Sequence, residues 1–175
     1  MYYIYVENDK IIGYGQCKCS NALNVEVDKE LYDNFVENPD KYINQNGEIV
    51  VNPNYEAQKL ILAKEAKQQE NLVKANESIT NGYVVYKNCK FETNTDNQSN
   101  MTSTASLMQS QGIEITPWLS KDNVSLELTL EDFLNIGALI LEFKTNVWTN
   151  IYTNFEAQIE TAQTIEEVED ISIEY

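Results

Sequence analysis

The chain has 175 residues, of which 42% are hydrophobic, with a mean hydropathy of -0.44. That composition suits one ordinary domain or two small ones, and neither a disordered nor a membrane-embedded chain. Its 28 acids outnumber 12 bases, every base is lysine, and the net charge of -16 repels nucleic-acid phosphates and anionic headgroups alike. Neither nucleic acid nor membrane is therefore expected as a partner.

The N-terminal run Met1 to Val6, aromatic and β-branched, meets Ile11 to Tyr14 across Asn8-Asp9 and reads as a β-hairpin. Asn24 to Val27 is a further short strand. Asp28 stands at a helix N-cap, followed by Leu31, Tyr32, Phe35 and Val36 at helical spacing up to Asn38-Pro39. Tyr42-Ile43 and Glu48 to Val51 flank Asn46-Gly47, a strong hairpin signal. Residues 1–53 are thus expected as a β-rich module with one short helix.

After Asn52-Pro53-Asn54 the pattern predicts a helix to about Asn76. Its apolar positions are sparse and its middle is Lys- and Glu-rich. A helix this polar is expected to be a solvated connector, over 54–78, in preference to half of an oligomer seam. Asn81-Gly82 is expected as a turn. A second module, 79–175, then opens with a hairpin, Tyr83 to Tyr86 and Cys89 to Glu92, around Lys87-Asn88. The polar stretch from Thr93 to Ser106 is expected to become helical only in its second half, through Leu107 and Met108, stopping at Gly112. Ile113 to Leu119 and Val124 to Leu128 form another hairpin around Lys121-Asp122-Asn123. Thr129 and Asp132 resemble a capping box. Behind them Phe133, Ile136, Ile140, Phe143, Val147, Ile151, Phe155 and Ile159 recur every three or four residues. This predicts a long helix over 130–162, a rod of about 45 Å across the stripe at 1.5 Å per residue. Thr164 caps a last short helix, Ile165 to Asp170. The fold class is α+β: two small modules of hairpins and helices joined by a polar helix, with a long C-terminal helix.

Chemistry is harder to find. Without histidine there is no Ser-His-Asp or Cys-His pair and no imidazole zinc site, and no phosphate-loop or nucleophile-elbow motif is present. The acids Glu127, Glu131, Asp132 and Glu142 fall at cap or helix-surface positions, where a carboxylate opposes the helix dipole or is solvated. That structural reading is preferred over a glycosidase pair. Cys17, Cys19 and Cys89 lack the four-ligand spacing of a metal knuckle, and their odd number without a signal peptide suits reduced thiols. No catalytic residue, metal or cofactor is expected. Trp118 and Trp148 read as core or interface packing before sugar platforms. The long stripe exceeds what a small domain needs for its own core. It offers a candidate interface of Phe133, Ile136, Ile140, Phe143, Val147, Ile151 and Phe155, together with Trp118 and Trp148, and self-association through it is a further expectation.

Several segments carry a resemblance. The N-terminal YYIYVENDKIIGYGQ, the passage GEIVVNPNY and the charged helix YEAQKLILAKEAKQQE resemble the start of small proteins of phage tail-fibre gene clusters. The later ITNGYVVYKNCKFETNTDNQSNM, IEITPWLSKDNVSLELTLEDFLNIGALI and IETAQTIEEVEDI look like a phage-tail domain of unknown function. The resemblance implies a non-enzymatic protein of the distal tail, at the baseplate or tail fibre of a phage or tail-like particle, made in the host bacterial cytoplasm. Its implied partners are other tail, baseplate or fibre proteins. The alternative it leaves is a fibre assembly chaperone absent from the finished particle. No active site comes with the resemblance.

Overall fold

Backbone chemistry at three two-residue turns sets the hairpins. In the computed structural model, which describes residues 1–175, Asn8-Asp9, Asn46-Gly47 and Lys87-Asn88 all hold positive φ at both positions. Such turns match the twist of the flanking strands, and asparagine, aspartate and glycine tolerate this conformation best. Lysine does not, yet Lys87 sits at φ 48°. Its ammonium group forms an ion pair described below. Every strand pairing is antiparallel, and sheets and helices alternate without parallel crossovers, which makes the fold α+β.

The chain divides into two units, Met1–Ile61 and Leu62–Tyr175. In the first, β1 (Tyr2–Glu7) lies between β2 (Lys10–Gly15) and β3 (Leu23–Val27). Helix α1 (Lys29–Glu37) starts at Asp28, whose carboxylate accepts from the Leu31 N–H at 2.7 Å. A 3-10 turn, Pro39–Lys41, leads into the hairpin β4 (Tyr42–Gln45) and β5 (Glu48–Val51). Ile4, Phe35 and Tyr42 form the buried core, with Ile11, Val27, Leu31 and Ile49 around it. The strands and the helix of this unit fall where the sequence places them, because each is bounded by its own turn or cap, while the unit itself runs to Ile61, past the expected boundary at residue 53.

Helix α2 (Tyr55–Asn81) is longer than expected, and from Leu62 onward it belongs to the second unit. The segment read as a solvated connector buries Asn71 and Ala75. Three of its four lysines are also committed: the ammonium groups of Lys64, Lys67 and Lys74 donate to the carbonyls of Glu160, Glu169 and Ile173 at 2.8, 3.4 and 3.2 Å. The sparse apolar positions are enough because the returning C-terminal segment supplies backbone acceptors to the polar ones. The expected turn at Asn81-Gly82 is a helix exit. Gly82 is needed there for space: a Cβ would lie 2.4 Å from the Ser78 carbonyl oxygen, 2.8 Å from Thr93 Oγ1 and 2.9 Å from Phe143 Cζ.

Beyond it come hairpin β6 (Tyr83–Tyr86) and β7 (Cys89–Glu92), helix α3 (Thr95–Gln111), and hairpin β8 (Ile115–Leu119) and β9 (Ser125–Thr129). Helix α3 starts earlier than expected. Asn94 caps it by accepting from the Asn97 N–H at 2.8 Å, while Asn97 and Gln98 donate back to the Glu92 and Thr93 carbonyls at 3.0 and 2.6 Å. The polar run therefore meets its hydrogen-bonding needs at the helix entry, and Met101 and Met108, two turns apart, anchor it in the core. Gly112 ends it at φ +67°, a left-handed cap.

Helix α4 (Leu130–Asn150) continues without a break through a π-helical segment, Ile151–Glu156, into α5 (Ala157–Thr161); α6 (Ile165–Glu169) follows. The π segment explains a feature of the stripe. From Val147 the apolar residues come every four positions: Val147, Ile151, Phe155, Ile159. In an α-helix of 3.6 residues per turn, four-residue steps drift by about 40° each. A wider π turn absorbs that drift and keeps these side chains facing the same way. Val147, Ile151 and Ile159 are accordingly buried and Phe155 half-buried. Two clusters make up the interior of the unit. One gathers Phe91, Met101, Met108, Leu128, Phe133, Ile136 and Ile140; the other gathers Ala75, Val147 and Ile151, flanked by Leu72, Ile79, Phe143 and Tyr175.

Candidate functional site

The stripe expected as an interface is the interior of the second unit. Phe133, Ile136, Ile140, Val147 and Ile151 are buried, and Phe143 and Phe155 half-buried, the latter ring standing edge-on to Tyr175 at 5.3 Å. Trp118 is half-buried and packs edge-on against Phe133, also at 5.3 Å. Only Trp148 among the expected interface residues is exposed. The correction has a simple cause. Helices α2 and α3, both hairpins and the C-terminal tail all present apolar side chains to α4, so one unit covers the stripe that periodicity alone leaves open.

The acids fare differently. Asp132 is buried and fully engaged. Its carboxylate accepts from the Lys87 ammonium at 2.8 Å, the Tyr86 hydroxyl at 2.8 Å and the Thr129 N–H at 2.9 Å, while the Thr129 hydroxyl accepts from the Asp132 N–H at 3.2 Å. The capping box is complete. The Lys87 ammonium first, then the Thr129 N–H, hold the carboxyl well below the usual carboxylate range despite its burial. A carboxylate this stabilised is a weak base, and three donors already bind it. Its role here is to start α4 and to tie the β6–β7 turn to it. Glu127, Glu131 and Glu142 are exposed. Cys17 and Cys19 lie in the first unit, one exposed and one half-buried, and Cys89 is buried in the core of the second. No three side chains of the metal-ligating acidic or sulfur types converge. No helix is long and apolar enough to cross a membrane.

What remains is a surface. Along α4, on the side away from the core, Leu134 is 64% exposed, Leu141 67%, Trp148 40% and Tyr152, in the first turn of the π segment, 59%. Beside them α3 and α4 line an open groove of about 440 Å³, whose lining includes the buried Met101, Phe133 and Ile140 together with Leu130, Leu134 and Gly137. Every residue lining it is uncharged. A Cβ added at Gly137 would meet nothing within 4 Å, so the fold itself does not require glycine there. Reading the sequence as one apolar stripe missed this second face. Its signal was present, in large apolar residues at 134, 141, 148 and 152 that fall outside the core periodicity.

A family described as a domain of unknown function, DUF4376, matches residues 62–173, almost the whole of the second unit. No curated protein and no solved structure matches the chain.

Proposed function

Since the chain belongs to the DUF4376 family, whose description states no activity, we propose from its chemistry and surface that it is a non-enzymatic interaction protein of the distal tail of a phage or tail-like particle. In this reading it links or decorates the baseplate or fibre apparatus, is made in the host bacterial cytoplasm, and works through other tail proteins without a cofactor. The observation that carries the interaction role is the uncovered apolar face of α4 on an otherwise strongly acidic chain. Large apolar patches on a soluble protein mark places where another molecule binds. The tail assignment rests on the resemblance of the N-terminal, middle and C-terminal segments to tail-fibre-cluster proteins. The engaged state of Asp132 and the lack of histidine support a role without catalysis.

The test is a mass-spectrometric inventory of purified particles from a lysogen or phage that encodes the chain. The protein is expected in the particle, at a stoichiometry fixed relative to the fibre. Absence from the particle, with fibres failing to assemble when the gene is deleted, would replace this reading by that of an assembly chaperone.

A further inference from the structure

The exposed face of α4 has a repeat of its own. Leu134, Ala138, Leu141, Thr145, Trp148 and Tyr152 follow in steps of four, three, four, three and four, and all are exposed. The core face of the same helix, Phe133, Ile136, Ile140, Phe143 and Val147, lies opposite. Alternating four-three spacing is the pattern by which one helix receives another, with side chains seated knobs-into-holes along a seam. A helix apolar on two opposite faces is expected to be covered on both. The seam runs about 27 Å from Leu134 to Tyr152, and its last residue lies in the first turn of the π segment. At Gly137, beside the seam, the missing side chain lets a second backbone come close.

We infer that this seam, with the adjoining α3–α4 groove, docks an amphipathic α-helix of another protein whose apolar stripe is flanked by lysine or arginine. Charge selects that occupant. The seam is uncharged, and helices α3 and α4 carry Asp96, Glu131, Asp132 and Glu142 against one base, Lys144; Asp132 is already paired with Lys87. Basic flanks on the incoming helix meet this acidic excess. A second copy of the chain brings its own charge of -16 and is repelled. The inference rests on the chain being an interaction protein, and stands apart from its place in a phage tail.

The test uses the full chain and two synthetic helices of about three heptads with leucine at the seam positions, one flanked by lysine and one by glutamate. Fluorescence anisotropy is expected to show binding of the lysine helix and at least tenfold weaker binding of the glutamate helix. Leu141→Glu should weaken the lysine helix about tenfold or more even though it adds a negative charge. Leu119→Glu, the same charge on an exposed apolar residue of β8, should leave binding unchanged or slightly strengthen it. Leu141→Ser repeats the test without a charge, and far-UV circular dichroism checks that each variant is folded. Two results overturn the inference: both glutamate variants strengthening binding, which marks attraction to acid alone, or sedimentation equilibrium showing a dimer of the chain that Leu141→Glu dissolves, which makes the occupant a second copy. Either result leaves the particle inventory untouched.

Discussion

Gly82→Ala and Gly137→Ala form a matched pair in which the same methyl group is added at two glycines of the second unit. At Gly82 the new Cβ would meet the Ser78 carbonyl at 2.4 Å, Thr93 Oγ1 at 2.8 Å and Phe143 Cζ at 2.9 Å. The Ser78 oxygen is backbone of α2 and Phe143 is wedged between two core clusters, so neither yields at small cost. Overpacking of this kind costs about 1–3 kcal/mol. Thr93 is fully buried, and its hydroxyl donates to the Ile79 carbonyl at 2.6 Å while its N–H donates to the Gly82 carbonyl at 3.2 Å. Loosening either adds about 1 kcal/mol. The expected loss is therefore about 3 kcal/mol, roughly 10 °C in Tm for a domain of this size. At Gly137 nothing lies within 4 Å, and replacing a helix-interior glycine by alanine gains about 0.5–1 kcal/mol. Both tryptophans, Trp118 and Trp148, lie in the second unit, so tryptophan fluorescence in a urea titration reports that unit specifically. Equal midpoints for the two variants would refute the account of Gly82 as a spacing residue.

Asp132→Asn is expected to cost about 2 kcal/mol at pH 7, the range for hydrogen bonds to a charged group, with the half-exposed Lys87 end contributing little. Because the folded-state pKa of Asp132 is depressed, its contribution is present in full above the unfolded carboxyl value of about 3.9 and is lost as pH falls below it. The gap between wild type and variant should then shrink from pH 4 downward; urea midpoints at pH 7 and pH 3 measure it, and a gap that widens in acid contradicts the assignment. Tyr175→Phe removes the hydroxyl that donates to Asn71 Oδ1 and leaves that fully buried amide, whose Nδ2 has no partner, without any hydrogen bond. A loss of about 1–3 kcal/mol is expected in thermal unfolding. Burial first, and then the charge of Glu156, push the Tyr175 phenol up to about 12. The stabilisation is thus whole below the unfolded value of about 10 and is lost as pH rises toward 12. Stability curves of wild type and Tyr175→Phe should converge between pH 10 and 12.

The first unit and the hairpins were legible in the sequence because their signals are local. Asn8-Asp9, Asn46-Gly47 and Lys87-Asn88 choose their turns within two residues, and Asp28, Thr129 and Thr164 satisfy helix N–H groups three residues on. Where local polarity and tertiary burial disagreed, the sequence misled. The polar entry of α3 read as loop until Asn94, Asn97 and Gln98 were seen to bond across its start. The Lys-rich middle of α2 read as solvated until the tail carbonyls came within reach.

The surface of α4 shows the same division most sharply. The sequence by itself determined a long capped helix and its acidic setting, since composition, caps and turns act over a few residues. It also placed large apolar side chains on two faces of that helix. Which face closes on the core was decided only by tertiary structure. Two hairpins and α3 pack around Ile136 and Ile140, α2 and the C-terminal tail pack around Val147 and Ile151, and none of these elements covers Leu134, Leu141, Trp148 and Tyr152. Burial is a property of everything packed around a residue, and spacing along one helix cannot say which side the rest of the chain will fill.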